Sequence, residues 1–137
     1  MLPDKLWVLS AEDLVSKDQS GDKEPALLDR AEWSEDTEKW QGEFEGIRFG
    51  TNVSVMFYTT DEVGHGPKLH RHPYDEVFIV REGRAMFMVG KQTLEAAAGQ
   101  IVFGPANIPH KYFNMGPGRL EMTDLHVTDI FVQEDLE

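Results

Sequence analysis

The stretch Gly64-His65-Gly66-Pro67-Lys68-Leu69-His70-Arg71-His72-Pro73-Tyr74-Asp75-Glu76 places three good metal ligands within seven residues. His70 and His72 are two apart, so on an extended strand their imidazoles point the same way. Glu76 lies a further four along, an even offset that returns to the same face if the chain stays extended past Pro73. Two imidazoles and a carboxylate on one strand face make most of a transition-metal site with mixed N and O donors. Arg71, between the histidines, is expected to point away from it.

The residues around this stretch read as strands. Ile47 to Thr60, Val77 to Val80, Ala85 to Val89, Ile101 to Phe103, Lys111 to Phe113, Leu120 to Val127 and Ile130 to Val132 are short runs rich in β-branched, aromatic or alternating apolar residues. Gly83, Gly90, Gly99, Gly104-Pro105, Pro109 and Gly116-Pro117-Gly118 punctuate them, and Gly50 with Asn52 marks another turn. Many short strands separated by turns predict an all-β sandwich or barrel. Upstream, Lys5 to Leu9 is expected to form a short strand. Ser10 is expected to cap a turn or two of helix to about Ser16. Asp18 to Pro25 has the composition of a polar loop, and Ala26 to Trp40 reads as strand or irregular structure packed by Trp33 and Trp40.

In an antiparallel barrel a later strand can return beside the one carrying His70 and His72. His110 follows a proline-rich turn at the head of the Lys111 to Phe113 strand, and would complete a set of three histidines and one glutamate. Such a set leaves two positions of an octahedral ion open. With a divalent metal the centre carries a net charge of about +1, which favours a substrate with a carboxylate, enolate or enediol oxygen.

Composition narrows the function classes. The chain has 137 residues, 40% of them hydrophobic, a size for one domain with its own core. It has no cysteine, which excludes disulfides, thiolate sites and thiol nucleophiles, and agrees with an expected cytoplasmic location. A formal net charge of −12 argues against nucleic acid and anionic membrane surfaces as partners. The N-terminus lacks a basic segment ahead of a long apolar run, so no signal peptide is expected, and no run approaches a membrane span. The acids Glu32, Glu35, Asp36 and Glu38 and the tail from Glu134 to Glu137 read as solvated surface.

The two histidine stretches resemble the two motifs of the cupin superfamily. The first motif is Gly, five residues, His, one, His, three or four, Glu, six, Gly, met by Gly64, His70, His72, Glu76 and Gly83. The second is Gly, five residues, Pro, one, Gly, two, His, three, Asn, met by Gly99, Pro105, His110 and Asn114, with Asn107 in place of the internal glycine. That position calls for a left-handed or tight-turn backbone, which Asn tolerates best among non-glycine residues. The resemblance covers roughly residues 53–131. It implies a small jelly-roll β-barrel with a metal inside, held by His70, His72, Glu76 and His110. Residues 1–137 then form one cupin domain, with a core barrel at about 44–132 and a short N-terminal extension at 1–43.

Outside the ligand set, Phe78 shares the parity of Glu76 and Tyr112 that of His110, so both are expected to face the barrel interior near the metal. His126 has Leu120, Met122 and Asp124 on its parity. Phe78, Tyr112 and His126 are the candidate substrate-binding residues. Tyr58, Arg48 and Arg84 are further candidates for an anionic group, and His65 is expected in solvent. Met86 and Met88 share one strand face and Ala85, Phe87 and Val89 the other, and the register after Gly83 leaves the inward face open. The resemblance implies one divalent ion, Fe, Mn, Ni, Cu or Zn, and a small-molecule substrate or ligand. The family that the chain resembles contains several activities; a dioxygenase-type enzyme acting on a small anionic or enolisable substrate is the expected function, with a metal-dependent isomerase or lyase, or a non-catalytic binding or sensor protein, as alternatives. Lys5 to Leu9 is a candidate dimer strand, which makes a homodimer the expected assembly.

Overall fold

The computed structural model describes residues 23–137. The expected strand at Lys5 to Leu9, with its dimer role, and the helix after Ser10 lie outside the described residues. The elements are a one-turn helix α1 (Arg30–Trp33), β1 (Gly42–Phe44), a 3-10 turn (Gly46–Phe49), β2 (Ser54–Thr60), β3 (His70–Arg71), β4 (Glu76–Glu82), β5 (Arg84–Val89), β6 (Gln92–Ala97), β7 (Ile101–Gly104), β8 (His110–Asn114), β9 (Leu120–His126) and β10 (Glu134–Asp135). They form two antiparallel five-stranded sheets, ordered β1-β2-β9-β4-β7 and β10-β3-β8-β5-β6. This is a jelly-roll arrangement: strands adjacent in sequence are repeatedly dealt to opposite sheets.

Period-two alternation decides which side chains meet between the sheets. Phe78 and Val80 on β4, Val102 on β7, and Leu120 and Met122 on β9 point inward from one sheet. Ala85, Phe87 and Val89 on β5, Ala96 on β6 and Tyr112 on β8 point inward from the other. The face left open by the sequence is thereby settled, with Met86 and Met88 on the outer side. The register of β4 on β9 shifts between Val80 and Glu82, so Arg81 and Glu82 are both exposed before the chain turns at Gly83. Gly83 has φ 84, and a Cβ there would lie 2.2 Å from the Arg119 carbonyl oxygen. Both facts exclude a side chain at this corner.

Several expected elements differ. Ile47 to Phe49 is part of the 3-10 turn and strand β2 begins only at Ser54. Gly50 ends that turn in the left-handed region and does not join two strands. Ala26 to Trp40 contains the helical turn α1, although its tryptophans do pack as expected. Ile130 to Val132 is not a strand; the backbone instead pairs at β10, two residues further on. Strand β6, Gln-Thr-Leu-Glu-Ala-Ala, has too few β-branched or aromatic residues to read as a strand and is held by its pairing with β5.

Candidate metal centre

The four motif residues converge between the sheets. His70 heads β3 and pairs directly with His110 at the head of β8. Glu76 heads β4 in the opposite sheet. The single strand face anticipated for His70, His72 and Glu76 is therefore corrected: the chain leaves one sheet after Arg71, turns through Pro73, and enters the other at Glu76. The even offset still aims Glu76 at the histidines, because both sheets turn their inner faces to the same interior. Arg71 points outward to Glu134, with Nε 3.2 Å from Oε2.

One potential ligand atom from each of His70, His72, Glu76 and His110 lies within 4.8 Å of the others, and all four residues are buried. This group could hold a metal ion. Its hydrogen bonding fits that reading. The Nδ1 of His70 is 2.6 Å from the Lys68 carbonyl, that of His72 3.0 Å from the Tyr74 carbonyl, and that of His110 3.1 Å from the Ile108 carbonyl. A carbonyl only accepts, so each Nδ1 carries a proton, and in the neutral ring that leaves the Nε2 lone pair for an ion in place of a proton shared with Glu76. His110 Nε2 is buried and has no hydrogen-bond partner among the described residues, a cost that a bound cation removes.

Glu76 is the hub. Its Oε1 lies 2.7 Å from His72 Nε2 and 3.3 Å from His110 Nε2, and its Oε2 lies 3.1 Å from His126 Nε2. Burial pushes its carboxyl pKa up, but the imidazoles of His110, His126 and His72 outweigh burial and hold it far below the usual carboxylate range. Burial lowers the His70 pKa, which favours the neutral ring that a metal needs.

The turn before His110 is built by Asn107, whose φ of 67 is the left-handed backbone expected where the motif has glycine. Its backbone N–H donates to the His72 carbonyl at 2.8 Å, tying the second motif to the first. Asn114 closes the other end, its Nδ2 donating to the Gly118 carbonyl and its Oδ1 accepting from the Gly116 N–H.

A small cavity of about 60 Å³ adjoins His70 and Glu76. Phe78, Tyr112 and His126 all line it, and Tyr58 reaches it as well. Arg48 and Arg84 do not line it; Arg84 pairs with Glu95 and the Gly116 carbonyl instead. His65 is in solvent beside Glu62, as expected.

Two neighbours carried no motif signal. Tyr74 stacks on the His72 ring at 4.2 Å, and its hydroxyl lies 2.9 Å from His126 Nδ1 and 3.2 Å from the Val132 carbonyl. The hydroxyl donates to the Val132 carbonyl and so accepts from His126 Nδ1, while His126 Nε2 is buried near Glu76 with no hydrogen-bond partner among the described residues. Asp124 is buried and accepts the Tyr112 hydroxyl on Oδ2 at 2.9 Å. Its only sequence signal was an acid on the otherwise apolar parity of Leu120 and Met122.

Comparison with known proteins agrees with this geometry. The family model described as a cupin domain matches residues 57–127, more than half of the chain, and the chain belongs to that family. An uncharacterized protein of Streptomyces coelicolor is 35% identical over 80 residues, 58% of this chain and 70% of that one. Among solved structures, a point mutant of Bacillus subtilis oxalate decarboxylase superposes with a TM-score of 0.63 at 20% identity, over 69% of this chain and 27% of its own. A second structure of that enzyme, from work on its Mn(II) centres, gives 0.64 at 21% identity over the same shares. The chain thus spans about a quarter of the length of these structures, and the likeness is one of fold. Among the described residues, no helix is long and apolar enough to cross a membrane.

Proposed function

We propose that this cupin is a metal-dependent enzyme acting on a small anionic or enolisable organic substrate, by dioxygenase-type chemistry, with one divalent transition-metal ion held by His70, His72, Glu76 and His110. The observation that carries the proposal is the common tautomer of the three histidines, each with Nδ1 tied to a backbone carbonyl and Nε2 turned to the others and to Glu76. Histidines buried merely for packing have no reason to share that arrangement.

When bound, the ion supplies a Lewis acid for a substrate oxygen and, if redox-active, electron transfer. The chain does the rest. The backbone carbonyls orient the rings, and His126, steadied by Tyr74, stands with Nε2 3.1 Å from the second oxygen of Glu76. Phe78 and Tyr112 wall the cavity and exclude bulk water, which strengthens electrostatic contacts inside. A cavity of about 60 Å³ suits a ligand of only a few non-hydrogen atoms. A cytoplasmic homodimer belongs to the same proposal.

A second reading, lyase chemistry, is favoured by the solved neighbours, which are oxalate decarboxylases. One experiment separates them. Protein purified without a histidine tag is assayed for bound metal, then for dioxygen uptake with diketones, catechols and keto acids, and for carbon dioxide release from oxalate. Oxygen consumed in proportion to substrate supports the first reading, and carbon dioxide without net oxygen uptake the second. Failure to retain or take up Fe, Mn, Ni, Cu or Zn overturns both. His72→Ala should weaken metal affinity by more than about a hundredfold, beyond the usual effect of losing an outer-shell partner. Lys111→Ala should not, because Lys111 reaches outward to Glu137. Equal metal content in the two variants would refute the ligand assignment.

A further inference from the structure

Asp124 occupies the middle of β9, directly across from Phe78 on β4. Leu120 and Met122 precede it on the same inward face, and each is fully buried. A position that only filled space would carry an apolar residue like theirs. Asp124 instead puts a carboxyl in the core with 3% exposure, in the same interior as the Glu76 carboxylate. Its hydrogen bonding is half complete. Oδ2 accepts the Tyr112 hydroxyl, while Oδ1 is buried and has no partner among the described residues. Leaving such an atom unpaired costs stability, and a protein keeps that cost where function uses the atom.

Asp124 lines the same small cavity as His70 and Glu76. Of the other cavity walls, Met56, Pro67 and Phe78 offer no hydrogen-bonding side chain; Tyr58 and Gln133 do, but Tyr58 is only half-buried and Gln133 is exposed with its amide donating to Asp135, whereas Asp124 is buried. Tyr112 cannot serve the ligand with its proton, since that proton is committed to Asp124.

We infer that Asp124 Oδ1 is the hydrogen-bonding anchor for the part of the substrate that the metal does not hold. Resting on the metal-site reading above, this narrows the substrate class to short carboxylates or hydroxy compounds with a second polar atom a bond or two from the coordinated oxygen. Tyr112 is then a positioning residue, fixing the Asp124 carboxyl so that Oδ1 faces the cavity. Burial and the Glu76 charge both raise the Asp124 pKa, which agrees with a neutral acid whose Oδ1 donates.

The test uses the full chain loaded with Co(II), with formate, acetate and glycolate as probes. Binding is followed by the visible absorption of the ion, and metal content is measured separately. Asp124→Leu should keep its Co(II) and lose about tenfold to a hundredfold in glycolate affinity, the usual range for one buried hydrogen bond, while losing less for formate. Asp124→Asn can accept from Tyr112 on its oxygen and offer its amide to the cavity, so it should retain more glycolate affinity than Leu. Wild-type glycolate affinity in Asp124→Leu overturns the inference. So does an equal loss for all three probes, which would report general damage to the cavity. Loss of Co(II) from Asp124→Leu alone also overturns it, by making Asp124 a support of the metal. Failure of the wild type itself to bind Co(II) refutes the metal-site reading and is distinguishable from all of these. In metal-free protein Asp124→Asn, which keeps an acceptor for the Tyr112 hydroxyl, should melt no lower than the wild type; a marked drop in this variant would make the residue a structural one and overturn the inference.

Discussion

At the scale of single residues, the site is a contest between burial and partnership. Glu76 stays ionised in the interior because several imidazoles surround it, while among the described residues Asp124 has only Tyr112. Burial first, then the Glu76 charge, push the Asp124 carboxyl well above its ordinary value of 3.8. A raised folded value means that the native state keeps a proton the unfolded chain releases. The stability linked to it is full below about pH 3.8 and is lost as pH rises towards the folded pKa. Asparagine has no proton to lose. Asp124→Asn should therefore raise the Tm of metal-free protein at about pH 7.5, with the gain shrinking as pH falls to about 4.5. Thermal unfolding at both pH values checks this; a gain independent of pH would mean that the carboxyl is not protonated in the fold. His70, His72, Glu76 and His110 were legible in the sequence because their spacing is a two-part pattern. Tyr74 and Asp124 were not, because their roles arise from contacts with His126 and Tyr112 across the barrel, which leave no fixed spacing in the chain.

At the scale of elements, the strands deliver the candidate ligands and the turns set the angle of delivery. Strands β3 and β8 carry His70 and His110 side by side, and β4 brings Glu76 from the facing sheet opposite His126. Asn107 shapes the turn before His110 and bonds to the His72 carbonyl. A β-branched residue there should be strained by about 1–2 kcal/mol, the cost of a left-handed backbone without Asn's tolerance for it. Asn107→Val is expected to lower the denaturant midpoint accordingly, and Asn107→Gly to leave it nearly unchanged. If the valine variant unfolded at the wild-type midpoint, the turn would be unstrained and Asn107 would not be needed to shape it. The strands around the motifs were readable from alternation and turn residues. Strand β6 was missed because its stability comes from pairing with β5, and Ile130 to Val132 was overread because an apolar run with no partner strand stays irregular.

At the scale of the molecule, the segment before β1 clasps the outer side of the barrel. The Trp33 ring stacks on Phe57 at 3.9 Å, and Trp40 meets Phe57 edge-on at 5.1 Å. The Trp40 indole N–H lies 3.1 Å from the Met122 carbonyl, and the Arg81 guanidinium sits 3.5 Å from the ring centroid. Trp40→Ala should cost about 2–3 kcal/mol, a partly buried aromatic's share, and leave metal content unchanged, because the clasp lies on the outside of the sheet. Loss of metal in that variant would instead couple the clasp to the centre. Taken by itself, the sequence determined the all-β class, the barrel and the four residues of the candidate centre. Alternation and turn chemistry are local properties, and the motif spacing is written along one chain. Only the tertiary structure decided that His70 and Glu76 face each other from opposite sheets, that Ala85, Phe87 and Val89 point inward, and that Asp124 Oδ1 has no partner among the described residues beside the site. Each depends on which strands pair and in what register, and register is fixed by the packing of all the strands together.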